Sequence, residues 1–151
     1  MGWSIGYDTN WRRDVGYGVP ATCDHPGCGA AIDRGLAYVC GGEPYGGDFG
    51  CGLFFCEDHR RYYNKRQPGI TVSVRLCDRC GKRSKAGPFK PTEDVPEWIS
   101  WKLTDQSWAA WRQDNPDQVT ALAARLVAVK AYALADLKVA EDLSARLARR
   151  P

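Results

Sequence analysis

A chain of 151 residues, 44% hydrophobic and 26% charged, is long enough for one modest domain or a small domain with an appendage. Its composition excludes the disordered and fibrous classes. The formal charge of +3 hides an uneven distribution, no apolar run approaches the roughly 20 residues of a bilayer span, and the first residues lack the order of a secretory signal.

Residues 1–22 carry Trp3, Tyr7, Trp11 and Tyr17 among glycines. This predicts an aromatic N-terminal arm of turns or short strands, with rings that cover a core too small to close by itself. Residues 23–90 follow as a second region, with every cysteine and both histidines inside 23–83. The run CDHPGCG is a tight turn with a candidate ligand on each side. LAYVC and GLFF predict two short strands joined by the glycine-rich tip GGEPYGGDFG. EDHRRYYNKR predicts a helix, with Glu57 and Asp58 in its first turn, where the helix dipole favours acids. ITVSVRL alternates as a strand and leads into a second turn, CDRCGKR.

SKAGPFKPTEDV is a polar, proline-containing linker or loop, and residues 91–151 form a mainly helical region. WISWK and TDQSWAAWRQ predict two short helices. Trp98, Trp101, Trp108 and Trp111 are too many rings to leave in water, so they pack onto the cysteine-rich region or onto a partner. Asn115-Pro116-Asp117-Gln118 predicts a helix start, with Asn115 as the cap, Pro116 at the first position and Gln118 completing a capping box. Leu122, Leu126, Val129, Ala133, Leu137, Ala140, Leu143 and Leu147 then recur every three or four residues. Continued to Arg150, this helix spans about 50 Å, more than a small module can cover. A homodimer through the helix is the expectation, although Asp136 interrupts the seam.

The candidate metal ligands are Cys23 and Cys28, Cys40 and Cys51, Cys56 and His59, and Cys77 and Cys80. Seven cysteines leave one thiol over in a disulfide scaffold, but with one histidine they make two sets of four. A reducing cytoplasm is the expected compartment, and there clustered cysteines are more often metal ligands than disulfides. Zinc takes four such ligands in a tetrahedron, usually as two close pairs, so two Zn2+ ions per chain are expected. Sequential and crossed pairings are both open. The local order favours crossing, because a turn with two ligands, a hairpin, and a helix with two more is the treble-clef layout. That gives Cys23, Cys28, Cys56 and His59 on one ion and Cys40, Cys51, Cys77 and Cys80 on the other. The fold expected is α+β, a zinc-stabilised cross-braced module with a short β-hairpin and a C-terminal helical extension. His25 reads as a turn residue beside Pro26.

The run Cys51-Gly-Leu-Phe-Phe-Cys56-Glu-Asp-His59-Arg60 resembles the ligand run of the FYVE- and RING-type cross-braced zinc fingers, over about residues 23–83. The resemblance implies a related fold. It departs in the long gap between Cys40 and Cys51, and the basic motif with which FYVE domains bind phosphoinositide is absent. Neither lipid binding nor ubiquitin-ligase activity carries over.

From Arg60 to Lys90 the sequence has ten basic residues and one acid, Asp78. Some of that charge answers the thiolates, since zinc held by four cysteines carries −2 and zinc held by three cysteines and a histidine carries −1. The remainder points to nucleic acid, DNA or RNA, through Arg60, Arg61, Tyr62, Tyr63, Lys65, Arg66, Arg75, Lys82, Arg83 and Lys85. An equally weighted alternative is a protein-interaction adaptor or inhibitor using the tryptophans and the long helix. Residue usage rich in Ala, Gly and Arg suits a GC-rich bacterium or its phage, which would make such an adaptor a factor directed at a host complex. Two fully ligated sites leave no open metal position and no spare thiol, so an enzyme is not expected. An HNH-type nuclease or a RING-like ligase stays a remote alternative.

Overall fold

The computed structural model describes residues 4–149, except for the side chains of Leu143 and Leu147. Trp3 and Arg150, and the two leucine side chains expected on the helix seam, lie outside the described residues. The chain divides into two compact units, Met1–Val95 and Pro96–Pro151, and the class is α+β, as expected.

The first unit opens with three strands, β1 (Gly6–Asp8), β2 (Arg13–Thr22) and β3 (Ala31–Arg34), in an antiparallel sheet of that order. The segment expected as an arm is therefore a sheet, with β2 pairing a strand that lies beyond Cys28. Trp11 packs against the core and donates its indole N–H to the Cys51 carbonyl at 2.7 Å. Tyr7 and Tyr17 stay exposed.

LAYVC and GLFF meet more narrowly than two strands would. A single antiparallel bridge joins Val39 to Phe54, flanked by bonds from the Cys40 N–H to the Leu53 carbonyl and from the Phe55 N–H to the Tyr38 carbonyl. Leu53 and Phe55 enter one core with Cys23, Cys40, Leu76 and Cys77. Phe54, pointing the other way, joins Val15 and Val39 in a second. Extended backbone sends successive side chains to opposite faces, so this short segment is the partition between the two cores.

The helix expected over EDHRRYYNKR is not formed. Glu57–His59 is one 3₁₀ turn, and the chain then extends as β4 (Arg60–Gln67). This strand pairs in full antiparallel register with β5 (Ile70–Cys77), from Arg60 opposite Cys77 to Gln67 opposite Ile70. Pro68 and Gly69 form the two-residue link, with Gly69 at φ 78°. Proline followed by glycine at positive φ is the chemistry of a type II turn. The Cys56 and His59 pair is thus present without the helix that a treble-clef layout expects. A short helix, α1 (Asp78–Gly81), follows directly.

The second unit contains α2 (Pro96–Thr104), a 3₁₀ turn at Gln106–Trp108, α3 (Ala109–Asp114) and α4 (Pro116–Ala148). Asn115 precedes α4 as expected, but its carboxamide oxygen accepts from the Gln118 side chain at 3.0 Å and its amide caps the Trp111 carbonyl of α3 at 2.8 Å. Val119, Leu122, Arg125 and Leu126 are half-buried, and every described side chain from Val127 to Ala148 is exposed. By length and composition Pro116–Arg146 would also suffice to cross a membrane, which the sequence did not lead us to expect.

Candidate metal centres

The eight expected ligands converge as two groups, Cys23, Cys28, Cys56 and His59, and Cys40, Cys51, Cys77 and Cys80, with all donor atoms of a group within 4.8 Å of one another. This is the crossed pairing, first pair with third and second with fourth. Each group can hold a metal ion. His25 is not a member.

The distances fit that role. In the first group Cys28 Sγ lies 3.8 Å from Cys56 Sγ, and His59 Nδ1 lies 3.2 Å from Cys56 Sγ and 3.7 Å from Cys23 Sγ. In the second, Cys51 Sγ and Cys77 Sγ are 4.0 Å apart. A tetrahedral ion with bonds of about 2.3 Å to sulfur sets its sulfurs about 3.8 Å apart, whereas a disulfide needs about 2.05 Å. Backbone amides already point at two of the sulfurs, Cys56 N–H to Cys23 Sγ at 3.4 Å and Cys77 N–H to Cys40 Sγ at 3.2 Å. Such donors disperse thiolate charge.

Local structure explains why each pair closes. Cys23 and Cys28 flank a turn whose Cys28 N–H bonds the His25 carbonyl at 3.1 Å. Cys56 and His59 bracket the 3₁₀ turn, and Cys77 and Cys80 bracket the start of α1. Cys40 and Cys51 are eleven residues apart, and glycines bring them together. A Cβ on Gly41, at φ 114°, would lie 1.9 Å from the Gly46 carbonyl oxygen, and one on Gly50 would lie 2.0 Å from that of Cys40. The loop folds back on itself with no room for side chains at its base.

Thiol acidity shows the conflict that a cation resolves. Burial pushes Cys23 up to about 12, and the Cys40 thiol raises Cys51. Cys28 falls below the ordinary thiol range through a backbone donor near Ala30. Cys40 falls through Cys51, and Cys80 through Cys40. Cys77 is pushed up by Cys40, but Cys51 and Cys80 outweigh this and lower it. Packed thiols cannot all ionise side by side, and a divalent ion stabilises every thiolate at once.

Around the clusters lies a frame of buried charge that the sequence did not reveal. The Asp24 carboxylate accepts from Arg13 at 3.0 and 2.7 Å, from the Phe54 N–H at 2.8 Å, and from the Thr92 N–H and hydroxyl at 2.6 and 2.8 Å. Burial raises its pKa, but the Arg13 pairing and these donors outweigh that and hold it below the usual carboxylate range. Arg34, fully buried, pairs with Asp94 at 2.6 Å and donates to the Asp14 carbonyl at 3.0 Å. Thr92 and Asp94 belong to the segment expected as a linker, which is therefore stitched to β2, β3 and the Cys23–Cys28 turn, the first knuckle. His25 stacks on His59 with ring centroids 3.8 Å apart and planes 9° from parallel.

The residues expected to meet nucleic acid divide by environment. Arg60 is buried and donates to the Ala37 and Val39 carbonyls. Lys65 is buried and donates to the Cys80 and Gly81 carbonyls at 3.1 and 3.0 Å, bracing the second knuckle, the Cys77–Cys80 turn. Tyr63 is half-buried and donates to Asp78 at 2.8 Å. Arg61, Tyr62, Arg66, Lys82, Arg83 and Lys85 are exposed, and Arg75 is half-buried.

In the second unit the tryptophans meet one another. Trp98 lies 5.1 Å from Trp101 and 5.9 Å from Trp108, and Trp108 lies 5.7 Å from Trp111. The ammonium of the buried Lys102 sits 4.5 Å from the Trp108 ring and 3.9 Å from that of Trp111. Desolvated cation–π contacts of this kind contribute about 2 kcal/mol.

No protein-family model matches the chain, and neither a curated protein nor a solved structure matches it. The likeness to FYVE- and RING-type fingers thus rests on the ligand run and the two four-residue clusters alone, and two metal-ligand clusters in an α+β fold are what the chain is shown to have.

Proposed function

We propose that this chain is a zinc-stabilised module that binds nucleic acid through the β4–β5 hairpin and the loop after the second knuckle. Zinc is the ion best suited to a closed set of four cysteines, or of three cysteines and a histidine. Such a set serves structure and leaves no position for a reacting water. The observation that carries the reading is the separation of roles among the basic residues. Arg60 and Lys65 brace backbone carbonyls, while Arg61, Arg66, Lys82, Arg83 and Lys85 each face solvent and Tyr62 is 69% exposed. Charge in excess of what the thiolates require, on the same hairpin as an exposed aromatic ring, suits phosphate contact and base stacking.

The test has two arms. Native mass spectrometry of the intact chain should find two zinc ions. Anisotropy titrations with single-stranded RNA and duplex DNA should show log K falling linearly with log salt, and replacing Arg61, Arg66 and Lys82 together by alanine should flatten that slope by about two units for a single strand. Binding that ignores salt would overturn the reading.

A second reading concerns assembly, and α4 carries it. The stripe of Val119, Leu122 and Leu126 that is half-buried in its own unit continues through Val129, Ala133, Leu137 and Ala140 with nothing upon it. We propose that a second copy of this helix covers it. A bilayer is a poorer occupant, because Arg125 and Lys130 fall inside the apolar stretch and each would cost about 2.5–3.5 kcal/mol near the bilayer centre. Light scattering should give twice the chain mass, and Leu137→Lys should return it to one.

A further inference from the structure

A cleft of about 470 Å³ opens beside the β4–β5 hairpin, lined by Arg60, Tyr62 and Arg75 on one side and by Gly41–Glu43, Asp48 and Phe49 of the glycine-rich loop on the other. Its volume falls in the roughly 300–1,000 Å³ range of small-ligand sites. None of the eight residues of the two clusters lines it.

The two arginines differ in what they can offer. Arg60 is held by the carbonyls of Ala37 and Val39 and acts as a fixed charge behind the cleft. Arg75 is under-partnered. Its Nε is buried and meets no acceptor among the described residues, and its nearest carboxylate, Glu57, is 83% exposed and 4.0 Å away. Its side chain remains 30% exposed, within reach of an incoming anion. Beside it the guanidinium carbon lies 5.3 Å from the centroid of the Tyr62 ring, across the strand pairing that sets Tyr62 opposite Arg75.

Glu43 and Asp48 line the same cleft, with Asp48 accepting from Gln67 at 3.3 Å. Carboxylates repel phosphate but accept hydrogen bonds from sugar hydroxyls. A guanidinium short of hydrogen-bond acceptors, an exposed aromatic ring and hydroxyl acceptors in one cleft match the three parts of a nucleotide. We infer that this cleft is a ribonucleotide subsite, with the base stacked on Tyr62, the phosphate on Arg75 and the sugar hydroxyls toward Glu43 and Asp48. The inference rests on the nucleic-acid reading above and sharpens it, because hydroxyl acceptors favour RNA over DNA.

The test titrates the intact, zinc-loaded chain with AMP, dAMP and inorganic phosphate by calorimetry, and in parallel with a single-stranded RNA by anisotropy. AMP should saturate, and dAMP should bind several-fold more weakly, as expected when acceptors in the cleft lose a donor. Tyr62→Ala should weaken AMP by about tenfold while Tyr62→Trp retains it, and Arg75→Gln should weaken it comparably. Zinc content and thermal midpoint, measured for each variant, separate loss of binding from loss of fold. No saturation with AMP, binding of phosphate alone as tight as AMP, equal affinity for dAMP, or indifference to Tyr62→Ala and Arg75→Gln would each overturn the subsite. If RNA binds with steep salt dependence while those two variants have no effect, the subsite falls and the broader reading stands. If AMP saturates as described and RNA does not bind, the subsite stands as a free-nucleotide site and the broader reading falls.

Discussion

Asp24 shows what single residues contribute to this fold. Its neighbour Cys23 belongs to a metal-ligand cluster, yet Asp24 itself ties together β2 through Arg13, the partition segment through Phe54 and the chain after the second knuckle through Thr92. Removing one member of a buried ion pair strands the other charge, at a cost of about 3–5 kcal/mol. Asp24→Ala should therefore lower the urea midpoint of the zinc-loaded chain sharply, and a loss below about 1 kcal/mol would mean that the pair behaves as if it were at the surface. The ligands give a second prediction at this scale. Because pairing is crossed, Cys77→Ser should release the ion shared with Cys40 and Cys51 and spare the one at His59, leaving one zinc by native mass spectrometry. Release of both, or of neither, would contradict the crossed arrangement as the working unit.

At the level of elements, the glycine-rich loop and the β4–β5 hairpin each depend on a backbone feature. Gly41 has φ 114° and its missing Cβ would overlap the Gly46 carbonyl, so the loop cannot close on any other residue. Gly41→Ala should drop zinc content from two to one with the His59 site retained, whereas Gly42→Ala, where a Cβ meets nothing within 4 Å, should keep both ions despite its positive φ. The hairpin is a lesson in competing signals. Glu57 and Asp58 followed by Arg, Lys and Asn suggest a helix start, but Tyr62 and Tyr63 favour strand, and Pro68-Gly69 is a turn lying between two runs of equal length. Pairing with β5 along eight positions outweighs a helix of about ten residues that would be marginal without tertiary support.

For the whole molecule, the two units draw stability from different sources. Residues 4–95 hold two small cores, and in one of them the buried cysteines of the clusters are themselves core residues. Structural zinc contributes on the order of 10 kcal/mol of apparent folding free energy in small modules, so a strong chelator should unfold this unit. Pro96–Pro151 has no metal-ligand cluster among its described residues, and its buried side chains are Trp98, Ile99 and Lys102, with the half-buried Trp108 and Trp111 against the Lys102 ammonium. After chelation, helical circular dichroism should largely persist while hairpin amide protection is lost. Collapse of both signals together would mean that the helical unit depends on the one that carries the clusters.

Sequence alone supplied the eight candidate ligands, the α+β class and the start of the long helix, and it favoured the crossed grouping over the sequential one without deciding between them. Those features are written in short-range spacing: paired donors three to five positions apart, a glycine-rich return, and Asn-Pro ahead of an apolar period. Only the tertiary structure decided that Arg60–Gln67 is a strand, that Arg13, Arg34, Asp24 and Asp94 are drawn together as partners, and which basic residues face water. Each of these depends on a contact between positions far apart in the chain. A charged residue is written the same way whether it braces a carbonyl, as Lys65 does, or faces solvent, as Arg66 does; burial by the remainder of the fold makes the difference.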